Sequence, residues 1–199
     1  MKRGHITTQE LKDIVIRECQ SKPVVSIPRA LGRELDLVRD KGLRDFLCRV
    51  LGELPRYFWH VPASVSGFHD IGADNLLGGL VQHTRKVARV ARIMCEPYGL
   101  THRADDFVVA GILHDALKYG WNGHVPRGHD HATFTAAWLE AKNYFADRVE
   151  IRHMIRAHLG RWGKVLPKSD MQWAFHLADY AVARGAVPPL GILPIARRC

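Results

Sequence analysis

The sequence predicts an all-α protein on three observations. Apolar residues recur at helical spacing in Leu11, Ile14 and Val15, in Leu43, Phe46, Leu47, Val50 and Leu51, and in Leu80, Val81, Thr84, Val87, Ala88 and Ala91. No convincing run alternates with the period of two that a half-buried strand requires. Prolines and glycines sit between the periodic stretches, at Pro23, Pro28, Pro97, Gly99 and Pro167, where helices would end.

Each element follows from local signals. Thr7-Thr8-Gln9-Glu10 has the form of a capping box and opens the first helix. Residues 1–52 read as an N-terminal helical segment packed on the main domain. Residues 54–74 are rich in proline, glycine and serine, which argues for a loop, yet Tyr57, Phe58 and Trp59 argue that it packs down. Asp74 or Asn75 is expected to cap the helix that carries Leu80 to Ile93. Asp105 to Lys118 reads as an apolar helix, and 120–130 as a Gly/Pro/His loop. Helices are expected at about 131–143, 146–159 and 170–185, inside a main domain of 53–186. The last stretch, 187–199, with Pro188, Pro189 and Pro194, is expected to be an extended tail.

Composition narrows the function classes. The chain has 199 residues, 47% of them hydrophobic and 25% charged, which fits one folded domain with an accessory segment and argues against disorder. No apolar run approaches the ~20 residues of a membrane helix, and Met1-Lys2-Arg3-Gly4-His5 leads into no signal core, so the expected location is cytoplasmic, without a membrane partner. Cys19, Cys48, Cys95 and Cys199 are scattered and form no Cys-x-x-Cys pair, which disfavours a cysteine zinc site or a disulfide framework. The net charge of +9 suits a phosphorylated or polyanionic ligand. Twelve histidines raise the expectation of a metal site, since imidazole is the commonest transition-metal ligand.

Position sharpens that expectation. His114-Asp115 closes the apolar run Ala110 to Leu113, His83 lies among Leu80, Val81 and Thr84, and Asp179 lies in the stripe Phe175 to Ala181. Acids and histidines on three inward-facing helices are costly unless they share compensation, and a divalent cation supplies it. Singly, each has a plainer reading: a satisfied core histidine, or an ion-paired aspartate.

The order histidine, His-Asp, late aspartate resembles the HD (His-Asp) superfamily of metal-dependent phosphohydrolases, in a bacterial or phage form. Gly78-Gly79-Leu80-Val81-Gln82-His83-Thr84, Leu113-His114-Asp115-Ala116-Leu117-Lys118 and Leu177-Ala178-Asp179-Tyr180 are similar to its three conserved elements, and Tyr57 to Ser64 to its aromatic-Pro-Ala-Ser leader. The likeness spans residues 54–186 and implies an HD-domain helical bundle with extra N-terminal helices. It implies metal ligation by His83, His114, Asp115, His131, His158 and Asp179, with Asp115 as a bridge if two ions bind. His129 competes with His131 and His153 with His158 for those places. Where the family often carries a lysine after Ser-Gly, Phe68 follows Gly67, and His69 reads as a plain loop residue.

The implied chemistry is hydrolysis of a phosphate mono- or diester of a nucleotide or nucleic acid, by hydroxide generated on one or two divalent ions (Mn, Fe, Ni, Co, Zn or Mg). Asp115, Lys118 and Arg161 are the candidate catalytic residues, the last two as phosphate contacts, although a helix-end lysine and a solvated arginine are the plain alternatives. Trp121, Trp162 and Tyr180 are candidates for a base-stacking wall, against core packing. The competing function is a metal- or nucleotide-binding HD module without turnover, acting as a sensor or nucleic-acid-binding protein, with a protein partner or a second copy.

Overall fold

The computed structural model describes residues 7–23, 25–64, 72–122, 124, 126 and 130–185. The tail at 187–199, His129, Phe68, His69 and Cys199 lie outside them. Among the described residues there are eight α-helices: α1 (Thr8–Gln20), α2 (Ile27–Leu35), α3 (Lys41–Gly52), α4 (Gly79–Met94), α5 (Ala104–Leu113), α6 (His131–Ala141), α7 (Val149–Ala157) and α8 (Asp170–Ala183). The one extended pairing among those residues is the isolated bridge between Trp121 and His124, so the all-α expectation holds.

The caps explain where the first helices begin. Thr7 Oγ1 accepts from the Glu10 amide at 3.2 Å and Glu10 Oε2 accepts from the Thr7 amide at 2.7 Å, the reciprocal box that the sequence announced. Asp40 Oδ1 accepts from the Leu43 amide at 3.0 Å and starts α3. At α4 the expectation fails. The N-cap falls three to four residues later than the proposed caps, at Gly78 with φ 80°, a left-handed conformation that glycine adopts without strain. Asp74 is instead buried and takes the Lys86 ammonium on both oxygens at 2.8 Å.

α5 is the middle of the bundle. Asp106 to Leu113 are all buried, as expected of a helix apolar all round. α4 packs on α5 and α8, and α7 packs on α5, α6 and α8. One continuous core joins these helices to Leu31 of α2, Leu47 and Val50 of α3, and Tyr57, Phe58 and Trp59 of the 3₁₀ turn Arg56–Trp59. The aromatic loop therefore does pack down. Two charge clusters tie the periphery to that core. Glu34 of α2, fully buried, takes Arg85 at 3.2 Å and Arg89 at 2.7 Å from α4. Asp106 of α5, also fully buried, takes Arg103 at 2.7 Å and Arg148 at 2.9 Å.

The α4–α5 crossing is close because Gly111 faces Ala88. A Cβ placed on Gly111 would lie 2.5 Å from the Ala88 Cα. This crossing sets His83, one and a half turns before Ala88, beside His114, three residues after Gly111. Gly111→Ala is expected to cost about 1–3 kcal/mol through overpacking. Gly32→Ala in α2, where an added Cβ meets nothing within 4 Å, is expected to be neutral or to stabilise by up to ~1 kcal/mol. Urea denaturation of the two variants checks the contrast.

Candidate metal centre

The apolar run that makes α5 central also ends it. The sequence reading extended this helix to Lys118; the α-helix stops at Leu113, with His114 as its C-cap. Beyond it the amides of Ala116, Lys118 and Gly120 bond to carbonyls three residues back, at 3.0, 3.1 and 3.0 Å. In such a tightened coil, residues three apart eclipse. Lys118 consequently stands over Asp115, and its ammonium donates to Asp115 Oδ2 at 2.7 Å. Lys118 is therefore placed on the carboxylate.

Four further elements converge on Asp115, which is 2% exposed. α4 supplies His83, α6 starts with His131, His158 follows α7 as its C-cap, and α8 supplies Asp179. The His83 Nε2 lies 3.3 Å from His114 Nε2 and 3.1 Å from Asp179 Oδ1, and the His114 Nε2 lies 3.5 Å from that oxygen. The Asp115 Oδ2 is 3.7 Å from His114 Nε2, while Oδ1 is 3.0 Å from His131 Nε2 and 3.6 Å from His158 Nε2. The two carboxylate oxygens thus face two different histidine sets. All six residues named from the resemblance are brought together. His153 is exposed on α7, away from the cluster.

The donor set fits a metal ion. Bonds of ~2.0–2.2 Å from one ion place neighbouring ligand atoms roughly 3.0–3.5 Å apart, close to the spacings above. His114 Nδ1 donates to Gly111 O at 2.9 Å and His158 Nδ1 to Ile155 O at 2.8 Å, which leaves each Nε2 as the lone-pair nitrogen aimed inward. Asp115 Oδ1 and His131 Nε2, although 3.0 Å apart, miss the alignment of a hydrogen bond, and both are buried atoms without a hydrogen-bond partner among the described residues. His83, His114 and Asp115 can hold one ion with Asp179 alongside, and Asp115, His131 and His158 a second.

The protonation states suit ligation. Burial, with His114 nearby, pushes His158 down to about 3. Burial likewise pushes His131 down, against the opposing pull of Asp115. Both imidazoles are neutral at neutral pH. Burial pushes the Asp115 carboxyl up, but Lys118, His114 and His131 outweigh it and hold it well below the usual carboxylate range. For Asp179 the hydrogen bonds and charge of His114 and His83 outweigh burial in the same way.

Two features escaped the sequence reading. His176, buried on α8, donates from Nδ1 to the His158 carbonyl at 2.6 Å and so fixes the turn that carries His158. Its only sequence signal is its place one turn before Asp179. The second is a cavity of about 590 Å³ between α1 and the Tyr119–Asn122 turn, lined by Asp13, Arg17, Tyr57, Tyr119, Trp121 and His124. Of the proposed stacking wall, Trp121 is half-buried against Trp138 and lines this cavity, whereas Trp162 and Tyr180 stack on each other at the surface. Arg161 is exposed, its guanidinium over the Trp162 ring at 4.6 Å.

A helical bundle with a buried histidine-aspartate cluster at the junction of α4, α5 and α8 defines a class of helical proteins whose interior could hold a metal ion. More particularly, the family model of the HD domain matches residues 80–184, and the chain belongs to that family. A curated relative, the dihydroneopterin 2′,3′-cyclic phosphate phosphodiesterase of Methanocaldococcus jannaschii, is 27% identical over 133 residues, covering 60% of this chain. The match spans half the length of that relative. No solved structure matches the chain. Among the described residues no helix is long and apolar enough to cross a membrane.

A pH prediction follows from the buried imidazoles. His131 and His158 have folded values below the ordinary 6.5, so below pH ~6.5 the unfolded chain takes up protons that the folded chain refuses. Stability of the metal-free protein should therefore fall as pH drops from about 6.5 toward 4, by on the order of 1 kcal/mol per pH unit through His158, with His131 acting in the same direction. Asp115 and Asp179 are depressed too, and their contribution is lost only at lower pH, below the usual carboxylate range. Thermal melts between pH 7 and 4.5 should show a shallower pH slope for His158→Leu than for the wild type, whatever its absolute stability. Equal slopes would contradict a neutral buried His158.

Proposed function

We propose that this protein is a metal-dependent phosphohydrolase that cleaves a phosphodiester of a nucleotide or nucleic acid. One observation carries the reading: a single buried carboxylate, Asp115, presents one oxygen to His114 and the other to His131 and His158. That arrangement suits two neighbouring divalent ions, with His83, His114, Asp115 and Asp179 on one and Asp115, His131 and His158 on the other. Bound there, such ions lower the pKa of water and polarise a phosphoryl oxygen.

The chain's own residues supply the rest. His131 and His158 as neutral imidazoles, and Asp115 and Asp179 as carboxylates, are in forms suited to ligation at neutral pH without a proton being removed. Lys118 holds Asp115 in one orientation at 2.7 Å, and its side chain, 22% exposed, keeps positive charge at the edge of the site where phosphate approaches. Arg161 is exposed just beyond His158 and offers a planar fork of donors to a second phosphate oxygen. In the reaction, water oxygen bonds to phosphorus, the P–O ester bond breaks, and its electron pair leaves on the alcohol oxygen, which takes a proton. The phosphodiesterase named in the relative supports a diester over a monoester, and the net charge of +9 supports an anionic substrate.

The test is hydrolysis of bis-p-nitrophenyl phosphate, 2′,3′-cyclic nucleotides and short oligonucleotides, each with Mn, Fe, Ni, Co, Zn and Mg. Asp115→Asn is expected to lose at least about 100-fold in kcat/KM, on the scale of ~3 kcal/mol of transition-state stabilisation. His131→Ala is expected to lower bound metal from two ions to one per chain by elemental analysis. Hydrolysis that survives both chelation and Asp115→Asn would overturn the proposal.

A further inference from the structure

α8 carries Trp173, Leu177 and Tyr180 along one stripe, which its C-cap Arg184 continues, at i, i+4, i+7 and i+11. All four reach solvent, with Trp173 44%, Leu177 38% and Tyr180 39% exposed. Trp162, 37% exposed, comes from the 3₁₀ turn Gly160–Trp162 and lies parallel to Tyr180, with centroids 5.4 Å apart and planes within 10°. His176 sits under the group, edge-on to Trp173 at 5.8 Å and tilted against Trp162 and Tyr180 at 6.2 Å each. The guanidinium of Arg161 lies 4.6 Å over Trp162 and that of Arg184 5.4 Å over Tyr180. Neither arginine pairs with a carboxylate among the described residues.

We propose that this face binds single-stranded nucleic acid. Exposed rings accept bases by stacking, at ~1–3 kcal/mol per base. A guanidinium laid over a ring directs its N–H donors sideways, away from the ring face and open to phosphate. The two free arginines and the net charge of +9 complement a polyanion. A second copy of the chain fits less well. At the ~250 Å² upper size of an aromatic side chain, exposures of 37–44% leave about 100 Å² for each ring. With Leu177 that is about half of the ~800 Å² per partner that a stable interface buries, and the arginines would be covered without a counter-charge.

The face adjoins the metal centre: Asp179 precedes Tyr180 on α8, and His176 Nδ1 bonds to the carbonyl of His158, two residues before Gly160. A strand on the face is therefore beside the site, and it names the substrate class of the proposed hydrolase. That last step rests on the hydrolase reading; the binding itself does not.

The experiment measures binding without turnover. The metal-free protein and its Asp115→Asn variant, both in chelator, are titrated with labelled oligothymidylate of about 12 nucleotides, within the ~4–16-nucleotide range of such sites. We expect binding with quenching of tryptophan fluorescence, about tenfold weaker for Trp173→Ala and for Arg184→Gln. The salt slope of Arg184→Gln should be shallower by about 0.7. Arg184→Gln removes only a surface charge, so it keeps the test decisive if Trp173→Ala misfolds. No binding, an affinity unchanged in Arg184→Gln, or self-association that Trp173→Ala abolishes would each overturn the proposal. A chain that binds the strand without hydrolysing any diester keeps this face and loses the hydrolase reading; one that hydrolyses without binding does the reverse.

Discussion

A buried negative charge at Asp115 is the constraint on which the bundle depends. An uncompensated carboxylate in an interior this apolar would cost several kcal/mol. The Lys118 ammonium at 2.7 Å supplies the direct counter-charge, while the His131, His158 and His114 rings at 3.0, 3.6 and 3.7 Å close the rest of the shell. Those partners belong to the end of α5, the start of α6 and the end of α7. The carboxylate therefore fixes where three elements stop or begin. After Leu113 α5 gives way to turns, and Lys118, three residues beyond Asp115, reaches its carboxylate at 2.7 Å.

The second requirement is closeness. His83 and His114 approach to 3.3 Å only because α4 and α5 touch backbone to backbone at Ala88 and Gly111. The rigid part of the site is thus written on the helices that form the core, which is how ligand atoms are held to the tolerance a metal needs. His131 and His158 sit at helix ends, with His158 held through its own carbonyl by His176. The ligands are therefore built in two ways: His83 and Asp179 lie within helices of the core, whereas His114, His131 and His158 sit at helix ends, with His114 and His158 each donating from Nδ1 to a carbonyl three residues back.

That difference also decides what was legible in the sequence. His83, His114, Asp115 and Asp179 stand out because each interrupts an apolar helical stripe, and periodicity reports burial. The helices and their order follow from the same signal. The Lys118–Asp115 pairing does not, because Ala116 and Leu117 continue the apolar pattern of α5 unbroken, and nothing in the residue types marks the change from α to 3₁₀ spacing. The start of α4 was misplaced because Asp74 is a good cap by type, while its carboxylate is engaged by Lys86 twelve residues on. The choice between His153 and His158 depends on which faces of α7 and its end are buried, and only packing shows that.

The aromatic face was hidden for a related reason. The chain has no stripe in which basic and aromatic residues alternate, and its charges are spread along its length. Folding gathers Arg161 and Trp162 from one segment onto Trp173, Tyr180 and Arg184 from another. His176 links the two sites physically: one ring nitrogen holds the His158 carbonyl while the ring supports Trp162, Trp173 and Tyr180. A ligand that shifts the stacked rings must press on His176, and through it on the turn that orients His158. Surface and metal centre are in that sense one structure.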